Sequence, residues 1–278
     1  MREYVNNYKK NGFVLIKDFF SDNEIDIILI ETKQIFSIAL NANNIQINFK
    51  TASEEEFSKA MFKLFKLNYQ AFLGAAKAAQ HVFSLHQVAC SEKMVKLLED
   101  FGLKKPIICV KPIVYFNSRF LSKIEGHYKT PPHQDWRSMQ GSLNSIVVWI
   151  PLIDINTNLG AVEFIKGSHL KGLYPTQQDD WFRHINVSDA SNLKFSPVEV
   201  DRGDVVLFSA FTIHKSGNNI TNKIRWSMHF RYNDVMESTF VRRNMPHPYI
   251  IYRPEQDVIT KNFPEKDQLY KAILNEKN

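Results

Sequence analysis

The sequence has little cysteine, no long apolar run and no internal repeat. Its 278 residues include two cysteines, Cys90 and Cys109, which are too few for a disulfide framework and fit a thiol-reducing compartment. No stretch approaches the roughly 18 consecutive apolar residues that a membrane-spanning helix requires. The polar N-terminus MREYVNNYKKNGFV is unlike a secretory signal peptide. These absences predict a soluble cytoplasmic protein that has no membrane partner.

The chain also lacks any block of like charge, although its balance is basic. Lys and Arg number 35 against 29 Asp and Glu, and the formal net charge is +6. The basic residues are scattered, and no nucleic-acid-binding motif accompanies them. We therefore expect no nucleic-acid partner and favour a solvated basic surface, with attraction of an anionic small molecule as the alternative. The sequence carries no signal for an oligomeric state.

The pattern of the sequence changes near residue 105 from helical to β-rich, and no evident linker marks the change. Capping boxes beginning at Ser21 and Ser53 precede apolar helical stripes. From Pro106 onward, short β-rich runs alternate with clusters of Gly, Pro, Asn and Asp, in IICVKPIVYF, NSIVVWIPL, AVEFI, DVVLF and IRWSMHFRY. This order predicts one α+β domain over 1–278, with helices in 1–105 packed on one outer face of a sandwich or jelly-roll core in 106–235 and a C-terminal extension in 236–278.

The run IRWSMHFRY predicts a strand with two different faces. Alternate residues of a strand point to opposite sides of its sheet. One face of this strand is apolar and is expected to pack against the helices: Ile224, Trp226, Met228, Phe230 and Tyr232. The other face is polar and is expected to line a cavity: Arg225, Ser227, His229 and Arg231.

The segment TPPHQDWRSMQGS places an imidazole and a carboxylate side by side. Its prolines disfavour a helix, and on an extended strand His133 and Asp135 project to one side. A third ligand must come from elsewhere, and His214, near the end of another strand, is the best candidate. Two histidines and a carboxylate suit a non-haem Fe(II) oxygenase or a catalytic zinc site. Arg225, 11 residues after His214, favours the former because its guanidinium can clamp the far carboxylate of 2-oxoglutarate.

With these residues in place, the chain resembles the phytanoyl-CoA dioxygenase-like Fe(II)/2-oxoglutarate oxygenases over about residues 8–232. HQD is similar to the proximal ligand motif, and HKSGNNITNKIRW is similar to the distal histidine, its polar turn and the cosubstrate arginine. VVWIPLIDINTNLGAVEFIKGSHLKG and YKKNGFVLIKDFFSDNEID resemble the segment between the motifs and the N-terminal opening. The resemblance implies a double-stranded β-helix of cupin-like form.

The same resemblance implies a cofactor and a set of site residues. Fe(II) is expected at His133, Asp135 and His214, and 2-oxoglutarate and O₂ are the expected cosubstrates. Arg225 is expected to hold 2-oxoglutarate, with Trp149, Tyr115 and Ser216 beside it. The reaction couples decarboxylation of 2-oxoglutarate to hydroxylation of a substrate. The carboxylate at Asp135 favours hydroxylation, because related halogenases lack it, and desaturation or ring formation stays open.

The substrate is expected to be a small polar or anionic molecule, such as a sugar, an amino acid or a natural-product intermediate. The expected contacts are the residues that follow the metal motif and the inward face of the last strand: Trp136, Arg137, Gln140, His229 and Arg231. For His229 and Arg231, a structural polar network is an equal alternative. The competing functions are a jelly-roll zinc hydrolase and a non-catalytic metal- or ligand-binding module.

Overall fold

A computed structural model of the protein describes residues 1–124, 126–178, 183–185 and 194–245. The chain separates into two units, Met1–Pro248 and Tyr249–Asn278, and all the described residues belong to the first. The predicted extension over 236–278 therefore lies largely outside the described residues, and a single domain over 1–278 stays a prediction. Both cysteines are free thiols.

Helices dominate the N-terminal hundred residues, as the sequence predicts. The helices are α1 (Arg2–Asn11), α2 (Asp22–Ala42), α3 (Glu54–Leu67), α4 (Tyr69–Ala78), α5 (Phe83–Ala89), α6 (Glu92–Asp100), α7 (Trp136–Met139) and α8 (Ser238–Arg242). The predicted capping boxes are confirmed at the start of α2, where Ser21 meets Glu24, and of α3, where Ser53 meets Glu56. In the described part of the chain, no helix has the length and apolar character needed to cross a bilayer.

Antiparallel sheets form the second half. The strands are β1 (Phe13–Ile16), β2 (Pro106–Asn117), β3 (Ile146–Pro151), β4 (Glu163–Phe164), β5 (Thr176–Gln178), β6 (Arg183–Ile185), β7 (Ser196–Pro197), β8 (Val205–Ser209), β9 (His214–Lys215) and β10 (Arg225–Asp234). The large sheet has the order β1-β8-β3-β10-β2, and a small sheet has the order β7-β4-β9. Strands β5 and β6 form a separate hairpin.

One face of the large sheet packs against the helices. All five residues of the predicted apolar face of β10 and its approach belong to a core shared with α2 to α6: Ile224, Trp226, Met228, Phe230 and Tyr232. The ring of Trp226 lies 6.3 Å from that of Phe36 in α2 and 6.4 Å from that of Phe57 in α3. The alternation in IRWSMHFRY therefore correctly predicts which side of the sheet the helices cover.

The opposite face of the large sheet packs against the small sheet. Phe164 of β4 stacks on Phe13 of β1, with ring centroids 4.5 Å apart, and lies 5.1 Å from Phe208 of β8. A second core fills the space between the sheets and includes Val147, Trp149 and Val206. The arrangement is the predicted α+β architecture, a jelly-roll core with N-terminal helices on one outer face.

The central position of β10 determines which side chains meet between the sheets. On one side it pairs with β3, so that His229 lies opposite Trp149. On the other side it pairs with β2, so that Ser227 lies opposite Tyr115. Because directly opposite residues on a sheet share a face, side chains from three strands converge on one region.

This two-faced strand generates a test of stability. Met228 and Ser227 are both fully buried, but Met228 belongs to the helix-side core and the Ser227 hydroxyl has no hydrogen-bond partner. We expect Met228→Ala to lower the free energy of unfolding by about 2–5 kcal/mol, since it creates a cavity. Ser227→Ala should not lower it, because it removes a buried hydroxyl that has no partner. Urea denaturation measures both values, and equal losses in the two variants would contradict the assignment of the faces.

Candidate metal centre

Two histidines from distant parts of the chain lie opposite each other in an isolated antiparallel bridge. The amide of His133 donates to the carbonyl of His214 at 2.9 Å, the reverse bond is 3.1 Å, and the ring centroids are 4.1 Å apart. The Nδ1 atom of His133 lies 2.8 Å from the carbonyl oxygen of Pro131, and that of His214 lies 3.0 Å from the carbonyl oxygen of Thr212. A carbonyl accepts only from a protonated nitrogen, so the lone pair of each ring is on Nε2, where a metal can bind it.

Asp135 completes a three-ligand cluster. Its Oδ1 atom lies 3.4 Å from Nε2 of His133, and one ligand atom from each of His133, Asp135 and His214 lies within 4.8 Å of the others. The predicted strand through this motif is wrong, because only His133 pairs and Asp135 already has helical angles (φ −65°, ψ −25°). The preceding prolines lack the N–H donors that would extend a ladder. The two side chains therefore converge through a turn.

Asp135 is buried and is held by Arg231. The Nε atom of Arg231 lies 3.0 Å from Oδ2, and Nη2 lies 3.3 Å from Oδ1. Burial acts to raise the pKa of Asp135, but the charge of Arg231 outweighs it and holds that pKa well below its usual range. The Arg231 guanidinium is thus engaged by this carboxylate, and its predicted substrate contact gives way to a contact with a candidate metal ligand.

The two buried histidines of this region are neutral near pH 7. Burial, followed by the proximity of His133, lowers the pKa of His214 to about 3. Burial, followed by the charge of Arg231, lowers the pKa of His229 well below its usual range. Metal binding requires deprotonated imidazoles and an ionised carboxylate, and burial with the Arg231 pair favours that state of His214 and Asp135.

The turn between His214 and β10 is tightly constrained. A Cβ atom on Gly217 would lie 2.3 Å from the carbonyl oxygen of Ala161. The buried amide of Asn219 donates to the carbonyls of Asn117 at 3.0 Å and Lys223 at 2.9 Å. The turn thereby sets the position of the first residue of β10 relative to the histidine.

That first residue, Arg225, is 3% exposed. Its Nη1 atom donates to the carbonyl of Gly160, and its Nε atom is buried without a hydrogen-bond partner. Among the described residues, no carboxylate lies within ion-pair distance of it. Burial lowers the pKa of Arg225 to about 10, against a smaller opposing effect of Tyr115. A buried guanidinium of this kind can bind an anionic ligand.

Other predicted cosubstrate and substrate residues lie on or near the same face of β10. Buried polar atoms that lack a partner occur on Trp149 (Nε1), Ser227 (Oγ) and His229 (Nδ1). Tyr115 is 37% exposed, and its ring lies 4.5 Å from that of His229. Ser216 follows β9, and its amide donates to the carbonyl of Thr130 at 3.0 Å. The structure thus gathers Arg225, Trp149, Tyr115 and His229 around β10.

The predicted substrate contacts after the metal motif have other partners. Trp136 donates from Nε1 to the carbonyl of Ser142 at 3.2 Å, and its ring stacks on Phe211. Arg137 donates to the carbonyl of Tyr174 at 2.6 Å, although its Nε atom is unpaired. Gln140 donates from Nε2 to the carbonyl of Arg137 at 3.2 Å. These contacts correct the expectation that all three donors await a substrate, because the short α7 turns them back onto the main chain.

Sequence reasoning overlooked the role of Gln134, which lies between two of the candidate ligands. The buried amide donates to the carbonyls of Gly172 and Phe211, each at 2.7 Å, and accepts from the amide of Tyr174 at 2.9 Å. It therefore anchors the ligand segment to two other loops. Its partners are main-chain groups distant in sequence, which leave no residue pattern to find.

The fold and the site together define a class of protein. The fold brings two imidazoles and one carboxylate to a single point, which is the donor set of non-haem Fe(II) oxygenases. Arg225 lies on the same strand as the arginine that holds Asp135, is buried, and has the chemistry needed to hold a carboxylate cosubstrate.

Comparison with known proteins identifies the family. Residues 8–227 match the phytanoyl-CoA dioxygenase (PhyH) family, so the chain belongs to it and is an Fe(II)/2-oxoglutarate-dependent dioxygenase. A phytanoyl-CoA dioxygenase domain-containing protein 1 homolog of Dictyostelium discoideum is 21% identical over 82% of this chain and 90% of the relative. The 1-deoxypentalenic acid 11-beta-hydroxylase of Streptomyces exfoliatus is 32% identical over 56% of this chain and 58% of the relative.

Solved structures share the fold. The epimerase SnoN, in complex with Fe3+, alpha ketoglutarate and nogalamycin RO, superposes with a TM-score of 0.60. It is 19% identical, and the match covers 84% of this chain and 83% of SnoN. EctD from S. alaskensis, with 2-oxoglutarate and 5-hydroxyectoine, superposes with a TM-score of 0.53 at 14% identity, over 85% of this chain and 77% of EctD.

The depressed pKa of His214 predicts a pH effect on the metal-free protein. An unfolded histidine titrates near 6.5, whereas His214 in the folded protein titrates at about 3. Between these two pKa values only the unfolded chain binds the proton. The free energy of unfolding is therefore highest above pH 6.5 and decreases as the pH falls. His214→Asn should therefore reduce the slope of unfolding free energy against pH by about 1.4 kcal/mol per pH unit between roughly pH 4 and 6. Identical slopes in the wild type and His214→Asn, measured by urea denaturation in the presence of a metal chelator, would contradict the depressed pKa of His214.

Proposed function

We propose that this protein hydroxylates a small polar or anionic metabolite in the cytoplasm, without a nucleic-acid or membrane partner. In this proposal His133, Asp135 and His214 hold Fe(II), and Arg225 holds 2-oxoglutarate. The observation that carries the proposal is the combination of a three-ligand cluster with a buried arginine that has no carboxylate partner in the described part of the chain.

The donor set supports Fe(II) at the cluster. Each histidine presents Nε2 because its Nδ1 atom is hydrogen-bonded to a carbonyl, and Asp135 is ionised beside Arg231. Bound Fe(II) supplies the oxidising chemistry, in which O₂ is consumed and decarboxylation of 2-oxoglutarate to succinate accompanies oxygen insertion into a C–H bond. The protein's part is to bind both substrates, hold the C–H bond in place and exclude water.

The inward face of β10 supports a 2-oxoglutarate site. One guanidinium nitrogen of Arg225 donates to the carbonyl of Gly160, and its Nε atom has no partner. The side chain can therefore offer further donors to a carboxylate. Unpaired donors on Trp149 and Ser227 lie on the same side of the sheet. A dicarboxylate satisfies such groups, which cost about 1–3 kcal/mol each when they are buried without partners. Tyr115 and Ser216 are the remaining proposed cosubstrate contacts.

A polar substrate has fewer candidate contacts in the structure than the sequence predicts. The main donors of Trp136, Arg137 and Gln140 bind the main chain, and Arg231 binds Asp135. His229 keeps an unpaired Nδ1 atom and lies against the partly exposed Tyr115. The relative named for 1-deoxypentalenic acid adds support for an anionic substrate.

The cosubstrate assignment predicts a specific defect in Arg225 variants. Arg225→Ala should raise the 2-oxoglutarate concentration for half-maximal succinate release by roughly 30-fold or more, because a buried charge pair loses about 2 kcal/mol or more when one partner is truncated. Arg225→Lys should recover part of the loss, since ammonium lacks the planar fork. Fe(II) affinity should stay at the wild-type value in both variants.

His214→Ala serves as the control, because it should lose Fe(II) binding and succinate release together while the fold is retained. Arg225 variants that saturate with 2-oxoglutarate like the wild type would show that another residue binds it. Iron-independent turnover, or activity supported by zinc alone, would reject the proposed function.

The substrate class can be tested by a screen for stimulated succinate release. Small hydroxylated or carboxylate-bearing molecules should stimulate release more than fatty acyl chains do, since they can pair with buried donors. His229→Phe should reduce that stimulation and leave the half-saturating 2-oxoglutarate concentration unchanged. Preferential stimulation by fatty acyl chains, with His229→Phe behaving like the wild type, would reject a polar substrate.

A further inference from the structure

We propose that Arg231 is a positioning residue that restricts Asp135 to one-oxygen coordination of the metal and so keeps a coordination position open. This inference rests on the proposed function, because it assumes that Asp135 is an iron ligand. It goes further because it assigns a positioning role to Arg231, which contacts the candidate metal ligand Asp135.

The geometry of the pair carries the inference. Arg231 contacts both oxygens of Asp135, through Nε to Oδ2 at 3.0 Å and through Nη2 to Oδ1 at 3.3 Å. The Oδ1 atom also lies 3.4 Å from Nε2 of His133 and therefore faces the metal cluster. Because a guanidinium is planar and rigid, two contacts fix the rotation of the carboxylate as well as its place, and the closer contact is to Oδ2, which leaves Oδ1 the more available oxygen for a metal.

The backbone of Arg231 is equally constrained. It lies in β10, where it is opposite Val147 of β3 on one side and Val110 of β2 on the other. The side chain is 11% exposed, and Asp135 is its only carboxylate within ion-pair distance in the described part of the chain. The arginine therefore approaches the carboxylate from a rigid central strand.

The number of ligands explains why the orientation matters. An octahedral metal with three protein ligands leaves one face of three positions open. A chelating 2-oxo acid takes two of them, and one position remains for a gas molecule. A carboxylate can coordinate a metal through one oxygen or two, and two-oxygen coordination would take that last position. Occupation of Oδ2 by Arg231 disfavours the second contact.

The inference can be tested without measuring turnover. Nitric oxide serves as the probe for the last position, and its affinity for the anaerobic Fe(II)–2-oxoglutarate complex is measured by titration and electron paramagnetic resonance. We expect Arg231→Met to weaken nitric oxide binding by about tenfold or more and to alter the signal of the complex, a size typical for groups that orient metal ligands. Arg231→Lys should restore part of the affinity, because it can still donate to Oδ2.

Arg202→Met is the matched control. Its guanidinium pairs with Asp22 and Asp26 and contacts neither Asp135 nor a proposed cosubstrate residue, so at saturating 2-oxoglutarate this variant should bind nitric oxide like the wild type. Wild-type affinity and signal in Arg231→Met would overturn the inference and leave the proposed function intact. A wild-type protein that binds no Fe(II) with 2-oxoglutarate would reject both.

A second experiment decides the matter if Arg231→Met does not fold. In Asp135→Gly, the buried guanidinium faces a space where formate can stand in for the missing carboxylate. Formate should raise the Fe(II) affinity of Asp135→Gly by about tenfold or more. The effect should be clearly smaller in the double variant Asp135→Gly/Arg231→Lys, where an ammonium replaces the planar fork that positions formate. Equal rescue of both proteins would overturn the inference.

Discussion

The main-chain bridge between His133 and His214 is the contact on which the candidate site depends. It joins a segment that follows two prolines to strand β9 of the small sheet, and its two hydrogen bonds bring the imidazoles together, with ring centroids 4.1 Å apart. Each ring is then oriented by a carbonyl two residues before it in the chain, so that both lone pairs point at one place. Everything else about the cluster follows from this bridge, because Asp135 lies one short turn beyond it and reaches Arg231 on the large sheet.

Strand β10 links the fold to the chemistry. Its apolar residues anchor the helices, and its polar residues deliver two buried arginines to the opposite face. The two arginines differ in their partners. Arg231 is neutralised by Asp135, whereas Arg225 has no carboxylate partner among the described residues. A buried cation is costly without an anion. This difference in partners assigns Arg231 to the metal ligand Asp135 and makes Arg225 the arginine suited to a cosubstrate.

The sequence predicts the fold class and the faces of β10 because periodicity is a local property of the chain. It predicts the three candidate ligands from their residue types and spacing, although the strand expected through His133 and Asp135 is a turn. Partners that lie far apart in sequence are harder to predict. The donors of Trp136, Arg137 and Gln140 were expected to face a substrate, but α7 is too short to be recognised and turns them toward carbonyls of Ser142, Tyr174 and Arg137. Likewise, alternation places Arg231 on the polar face but cannot show that Asp135 already occupies it.

Anaerobic titration of the protein with Fe(II) and 2-oxoglutarate tests the central claim most directly, since chelation of Fe(II) by a 2-oxo acid produces a visible charge-transfer absorption. The account predicts that the absorption appears only when both are present, that it saturates at one equivalent of iron, and that excess succinate abolishes it by competing for the same arginine. Independent binding of Fe(II) and 2-oxoglutarate, with no new absorption, would contradict the claim that the cluster and Arg225 form one site.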